Sequence, residues 1–166
     1  MLILTGQRRG EVAGIEWPEV DMNTCRWEIP GAKSKNGRAH IVHLSKPAMQ
    51  VIDTLPRFLE ATFLFTTTGT TAISGFSKAK RQIDKVSGVS SWTLHDLRRS
   101  FATHATERLG ADPQVVDRIL NHVSGHVTGI AAVYQRGEYL EQRRDVLDRW
   151  SELVEAKAAC RNELGE

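Results

Sequence analysis

The sequence predicts a mainly helical domain with a small antiparallel β-sheet near its front, an α+β fold. Between Ile15 and Leu44, short runs rich in β-branched and aromatic residues alternate with turn signals. From Ser45 onwards, apolar residues recur at helical spacing instead. The 166 residues, 40% hydrophobic and 25% charged, suit one globular domain with its own core, so we expect residues 1–166 to form a single domain.

The front of the chain is predicted to form the sheet. A hydrophobic N-terminal segment leads into a helix around Glu11, and short extended segments follow at Trp17, over 26–29 and over 40–44. Turns are predicted at 21–23 and at Lys35-Asn36-Gly37. Because Asn-Gly is the strongest short-range hairpin signal, we expect Lys35 at a hairpin tip.

The rest of the chain is predicted to be helical. Ser45 followed by Lys46-Pro47 is typical of a helix start, and later helices are expected over 75–86, 94–109, 113–121, 127–135 and 138–158. Thr93 to Asp96 has the pattern of a capping box, and Asp112-Pro113 that of an N-cap followed by a first-turn proline. Residues 138–166 would form a helical tail with an apolar face.

Charge is distributed unevenly along the chain. Residues 1–137 contain 17 Lys and Arg against 12 Asp and Glu, whereas residues 138–166 contain 5 against 8. A basic body suits a polyanionic partner such as nucleic acid. No apolar run is long enough to span a bilayer and no signal peptide is apparent, so we expect a cytosolic protein without membrane contact, with Cys25 and Cys160 reduced.

Five polar features stand out from the predicted core. They are Thr5-Gly6-Gln7-Arg8-Arg9-Gly10-Glu11, Lys33-Ser34-Lys35-Asn36-Gly37-Arg38, His95-Asp96-Leu97-Arg98-Arg99, Leu120-Asn121-His122 and Val133-Tyr134. An arginine at a helix start can bind two phosphate oxygens, and a lysine on a hairpin tip can donate a proton to a leaving oxygen. Each feature also has a structural explanation: an Arg8–Glu11 ion pair, a soluble turn, a surface charge cluster, a capping histidine and a packed tyrosine.

Taken together and in this order, the five features resemble the tyrosine recombinase (phage integrase) family. The first matches the family's first arginine motif, the second its catalytic-lysine hairpin, and the third its His-x-x-Arg motif. Leu120-Asn121-His122 resembles its Leu-Gly-His motif, with Asn in place of Gly. The resemblance runs from about Leu2 to Trp150. The spacing after His122 is similar to the longer form of some prophage and genomic-island integrases, which favours Tyr134 over Tyr139 as the nucleophile.

This resemblance implies a tyrosine recombinase catalytic-domain fold and site-specific DNA recombination through a 3′-phosphotyrosine, without metal, cofactor or ATP. Its implied catalytic residues are Arg8, Lys35, His95, Arg98, His122 and Tyr134. Further candidates for DNA contact are Lys33, Arg38, Lys78, Lys80 and Arg81, each of which could instead be a solvated surface charge. The implied location is the bacterial cytosol or nucleoid.

The resemblance leaves several alternatives open. The separate N-terminal core-binding domain of the family is not visible in the sequence, so the chain could be a non-catalytic DNA-binding fragment. A DNA-relaxing enzyme of the type IB topoisomerase kind and an unrelated phosphate-ester hydrolase are further possibilities. The tail could dock on a neighbouring protomer or pack on its own domain. A metal site shared by His122 and His126 is disfavoured, because Gly125 interrupts a common helical face.

Overall fold

A computed structural model describes residues 1–59, 61–122 and 139–163 of the chain. The helices are α1 (Leu2–Thr5), α2 (Arg9–Ala13), α3 (Lys46–Asp53), α4 (Phe76–Ser87), α5 (Leu94–Glu107), α6 (Pro113–Ile119) and α7 (Leu140–Glu163). The strands are β1 (Val20–Asp21), β2 (Arg26–Ile29) and β3 (His40–His43). The predicted α+β architecture is confirmed. The helix expected over 127–135 lies outside the described residues.

The three strands form one antiparallel sheet in the order β1-β2-β3. Residue Arg26 pairs with His43 and Ile29 with His40, so the connection between β2 and β3 is the loop 30–39. Within it, the amide of Gly37 donates to the carbonyl of Ser34 at 3.0 Å, which forms a turn with Lys35 at its tip. The predicted hairpin and the predicted position of Lys35 are both confirmed.

The strand expected at Trp17 is wrong. Trp17–Glu19 forms a 3-10 turn, and β1 begins only at Val20. Pro18 has no N–H to give to a strand ladder, and its fixed φ suits the first turn of a helix. The Glu19 carboxylate also accepts the Glu16 amide at 3.1 Å, which caps the turn.

The expected helix starts are confirmed at α5 and α6. The amide of Thr93 donates to Asp96 Oδ2 at 2.8 Å, and the amide of Gln114 donates to Asp112 Oδ1 at 2.7 Å. Both bonds satisfy donors that a helix start leaves without a partner in the helix. These helices therefore begin where their local sequence places them.

The core has two parts that meet around α1. One part joins the sheet to α2 and α3 through Val12, Trp27 and Ile52, and the other joins α5, α6 and α7 through residues that include Phe101 and Trp150. The indole of Trp150 packs edge-on against Phe101, with ring centroids 5.6 Å apart. Its Nε1 donates to the carbonyl of Ile3 at 2.7 Å, which ties α7 to α1.

The C-terminal helix α7 packs on its own domain. Its apolar residues Val146, Leu147 and Trp150 are buried in the second part of the core. Ser151, also buried, shares a hydrogen bond of 2.5 Å with Ser45. Of the two arrangements left open by the sequence, the described residues show the intramolecular one. No helix among the described residues is long and apolar enough to span a membrane.

Gly6 ends α1 in the left-handed region, with φ +64, and it lies against the second part of the core. A Cβ at this position would approach Phe101 Cδ1 to 2.8 Å. We predict that Gly6→Ala lowers the free energy of unfolding by about 2–4 kcal/mol, through backbone strain and overpacking together.

Gly110 provides the matched control, because it has the same φ of +64 and open space where a Cβ would lie. Gly110→Ala should lower the free energy of unfolding only through backbone strain, by about 1–2 kcal/mol. Urea unfolding of the three proteins measures both values. Equal losses for the two variants would contradict the packing role of Gly6.

Candidate active site

The C-terminal end of α6 is the point at which the motif residues converge. A helix leaves its last carbonyl groups without intrahelical donors, and here side chains from other elements supply them. The carbonyl of Ile119 accepts from Gln7 Nε2 at 2.8 Å and faces His40 Nε2 at 3.0 Å. The next two carbonyls, of Leu120 and Asn121, accept from the arginines of the first and third motifs.

Arg8 lies at the N-cap of α2 and forms an ion pair within its own motif. Its Nη1 donates to Glu11 Oε1 at 2.9 Å, while Glu11 Oε2 accepts the Arg8 amide at 3.0 Å. Its Nη2 reaches the carbonyl of Asn121 at 3.4 Å. The Glu11 side chain is only 4% exposed, so this carboxylate holds Arg8 in one orientation.

Arg98 projects from α5 into the same region and is buried, with 4% of its surface exposed. Its Nη1 donates to the carbonyl of Gly6 at 2.8 Å, and its Nη2 donates to the carbonyl of Leu120. Burial, and after it the nearby charge of Arg8, lower the pKa of Arg98 to about 10, while the charge of Glu11 opposes both effects. The guanidinium stays charged at neutral pH.

The two arginines carry more positive charge than their surroundings neutralise. The direct partners of Arg98 are neutral carbonyl dipoles, and the one carboxylate that contributes to its pKa, Glu11, is already paired with Arg8. A cationic group taken out of water without a full counter-charge is poised to bind an anion. A phosphate fits, because guanidinium groups bind its oxygens in pairs.

A cleft of about 740 Å³ opens beside Arg8. Lys35 on the hairpin tip and His95 on the first turn of α5 line it as well, and both are exposed. Its other charged lining residues are Arg9, Lys80, Arg81 and Asp84. Phe76 and Trp92 contribute an aromatic wall. The structure therefore brings three predicted catalytic residues to one cationic cleft.

His122 lies apart from this cleft. Its Nδ1 is 2.9 Å from Asp117 Oδ1, and it lines a neighbouring cleft of about 290 Å³ with residues that include Arg38, Asn121 and Arg143. Asn121 connects the two clefts, since its carbonyl also accepts from Arg8. Tyr134 lies outside the described residues. Among those residues, no group of three or more His, Cys, Asp or Glu could hold a metal ion.

Comparison with known proteins identifies the family. The model of the phage integrase family matches residues 1–136. The chain belongs to the phage integrase family. Prophage integrase IntA of Escherichia coli K12 is 31% identical over 155 residues, and prophage integrase IntZ of the same strain is 26% identical over 157 residues. These alignments cover 93% and 94% of the chain but only 37% and 38% of the relatives.

Solved structures agree on the fold. The match to the integrase from mycobacterium phage Brujita covers 90% of this chain and 49% of the Brujita chain, with a TM-score of 0.65 and 19% identity. The XerA recombinase matches 86% of the chain and 56% of its own, with a TM-score of 0.60 and 23% identity. The predicted tyrosine recombinase catalytic-domain fold is thereby confirmed.

The predicted DNA-contact residues differ in their surroundings. Lys33 lies 2.6 Å from Glu16 and also pairs with Glu19, and these partners raise its pKa against the effect of burial. Lys80 pairs with Asp84 at 2.7 Å and lies 5.0 Å from the centre of the Trp92 ring. The side chains of the other three have no ion-pair partner among the described residues: Arg38, Lys78 and Arg81.

Sequence reasoning missed three polar residues of the candidate site. Gln7 and His40 are buried donors to the Ile119 carbonyl, and Asn121 bonds the hairpin. Gln7 Oε1 is buried and has no hydrogen-bond partner among the described residues. The alternation along β3 could have marked His40, because it occupies an inward position together with Val42.

His40 gives the site a pH-dependent stability. Burial, and after it the charge of Arg143, lower the pKa of His40 to about 4, although the hydrogen bond to Ile119 opposes the shift. The folded state therefore binds this proton less readily than the unfolded chain, whose histidine pKa is near 6.5. The contribution of neutral His40 to the free energy of unfolding is complete above pH 6.5 and is lost as the pH drops towards 4.

We predict that His40→Gln removes this pH-dependent loss of stability, because the Gln amide can donate to the same carbonyl without titrating. Between pH 7.5 and 5.0, wild type should lose about 2 kcal/mol more unfolding free energy than the variant. Urea unfolding at the two pH values measures the difference. Parallel losses in both proteins would show that His40 does not titrate in this way.

Proposed function

We propose that this chain cuts and rejoins DNA at specific sites through a 3′-phosphotyrosine intermediate. Membership of the phage integrase family supports site-specific recombination in general. The observation that carries the proposal further is the pair formed by Arg8 and Arg98, with one shared carboxylate, beside a cationic cleft. That arrangement suits a bound phosphodiester.

The arginines would stabilise the charge that develops on the phosphate. A phosphodiester under attack carries negative charge on its non-bridging oxygens, and fixed cations lower the energy of that state. Arg8 and Arg98 would bind those oxygens, and His122 would add a hydrogen bond from the neighbouring cleft. Glu11 and the carbonyl groups at the end of α6 hold the arginines before DNA arrives.

Two proton transfers would accompany the cleavage. The Tyr134 oxygen would attack phosphorus as its proton passes to His95, and the bond from phosphorus to the 5′ oxygen would break. Lys35 would protonate that departing oxygen, and His95 would assist proton transfer at the same cleft. The phosphotyrosine retains the phosphoester bond, so a 5′-hydroxyl can reverse the step without ATP.

Double-stranded DNA is the proposed partner. A structural relative, the Tn1549 transposon integrase, was solved in complex with a circular intermediate DNA and has a TM-score of 0.57. Arg38, Lys78 and Arg81 would contact the DNA backbone, since phosphate contacts position a protein on a duplex. Self-association on DNA would use the exposed face of α7, because its apolar face is buried within the chain.

Substitution of the proposed nucleophile tests the chemistry. On a nicked duplex from which the cleaved strand diffuses away, wild type should form a covalent adduct, and Tyr134→Phe should form none. Tyr139→Phe is the matched control, because Tyr139 precedes α7 and packs on the core. A denaturing gel of reactions with a pool of candidate attachment sequences gives the readout.

Each other outcome has a definite meaning. Loss of the adduct only with Tyr139→Phe would assign the nucleophile to Tyr139. No adduct with wild type, despite binding of the same DNA, would favour a non-catalytic DNA-binding role. Release of DNA ends by Tyr134→Phe would favour hydrolysis instead.

Basic residues with and without an ion-pair partner should contribute differently to DNA binding. Arg81→Ala should weaken binding to a generic duplex about 3- to 10-fold and lower the salt slope of log K by about 1, because one phosphate contact is lost. Lys33→Ala should change affinity less, since Glu16 and Glu19 already hold that ammonium. Fluorescence anisotropy across a salt series measures both. A larger effect at Lys33 would overturn this assignment.

A further inference from the structure

Asn121 occupies a backbone conformation that few residues adopt. It follows α6 with φ +48, in the left-handed region, where glycine is at ease and asparagine is the best-tolerated residue with a side chain. A glycine at this position would adopt the same backbone conformation but would add no side chain. The asparagine adds an amide side chain that lines the smaller cleft, next to the backbone carbonyl that accepts from Arg8.

That side chain closes a ring of hydrogen bonds with the hairpin. Asn36 Nδ2 donates to Asn121 Oδ1 at 2.8 Å and lies 3.2 Å from the Asn121 carbonyl. Asn121 Nδ2 donates to Ser34 Oγ at 2.9 Å, and Ser34 Oγ donates to Asn36 Oδ1 at 2.8 Å. Both amides are therefore fixed in orientation, and each hydrogen bond is between neutral groups.

The two hairpin residues in the ring flank Lys35 directly. Ser34 is buried, with 8% of its surface exposed, whereas Lys35 between them is exposed at the cleft. The ammonium of Lys35 has no ion-pair partner among the described residues, so nothing else in that part of the chain fixes its end. The position of Lys35 thus depends on how firmly its two neighbours are held.

We propose that Asn121 is a positioning residue that holds the Lys35 hairpin at the active cleft through this ring. The inference rests on the proposed role of Lys35 as the proton donor to the leaving oxygen. Asn121 touches no reacting atom and acts through Ser34 and Asn36. A hairpin fixed in advance spares the reaction the entropy of ordering Lys35 at each turnover.

The variant that isolates the ring is Asn121→Gly. It keeps the left-handed backbone and the carbonyl that accepts from Arg8, and it removes only the amide. Asn36→Ala breaks the same ring from the other side without changing α6. Asn23→Gly is the matched control, because Asn23 is an exposed turn residue whose side chain makes no hydrogen bond to the described residues.

The first test needs no DNA. Hydrogen exchange of the hairpin peptide over 30–39 should be about 10- to 30-fold faster in Asn121→Gly and Asn36→Ala, because each substitution removes at least two hydrogen bonds between the hairpin and Asn121. Peptides from α5 and α7 should exchange as in wild type, and Asn23→Gly should leave the hairpin unchanged. Unchanged exchange of 30–39 in both ring variants would overturn the proposal, whatever the enzyme's activity.

The second test links the ring to Lys35. On an attachment sequence that gives the covalent adduct, Asn121→Gly should cleave about 10- to 30-fold more slowly at saturating DNA, with DNA affinity unchanged within twofold. In a second version of this DNA, sulfur replaces the bridging 5′ oxygen. The cleaved strand then leaves as a thiolate, which needs little protonation. On that substrate Asn121→Gly and Lys35→Ala should both return to the wild-type rate, whereas Arg8→Ala should stay slow.

The outcomes separate the two proposals. A defect of Asn121→Gly that is equal on both substrates, while Lys35→Ala is rescued, would overturn the positioning role and leave Lys35 as the proton donor. A Lys35→Ala defect that sulfur does not rescue would refute the proton-donor role itself, and the inference about Asn121 would fall with it.

Discussion

The carbonyl groups of Ile119, Leu120 and Asn121 lie beyond the reach of further helical donors, and the surrounding structure is arranged to satisfy them. Their donors come from the α1–α2 connection, the hairpin, β3 and α5. A buried carbonyl without a donor costs about 1–3 kcal/mol, so each of these contacts constrains the element that supplies it. The end of one short helix thereby fixes four separate parts of the chain relative to one another.

The choice of donors has an electrostatic consequence. A carbonyl dipole satisfies an arginine's hydrogen-bonding needs but does not neutralise its charge, and Arg98 is held by two carbonyls. The lowered pKa of Arg98 expresses the cost of that arrangement in the free protein. A bound phosphate would offset this cost, so the same charges that are costly without an anion favour the binding of one.

Features set by neighbouring residues could be predicted from the sequence, and features set by distant contacts could not. The caps at Thr93 and Asp112 and the turn at Lys35 follow from local hydrogen bonding, whereas the strand expected at Trp17 failed because Pro18 favours a 3-10 turn. The motifs identified Arg8, Lys35 and His95, which share one cleft. No local pattern shows that Lys33 turns to Glu16 and Glu19 while Lys35, two positions later, lines that cleft.

Neutral hydrogen bonds hold the hairpin, whereas the charges that line the cleft attract an anion. These two kinds of interaction respond differently to salt. The ring of Ser34, Asn36 and Asn121 is neutral, so dissolved salt scarcely screens it. The exposed cations that face the cleft, Lys35 and Arg81 among them, interact with an anion over distances that salt does screen. A change in ionic strength would therefore alter how strongly the cleft attracts an anion while leaving the geometry of the hairpin intact. Salt bridges in place of the ring would couple the two properties, because the same ions would weaken both the scaffold and the attraction.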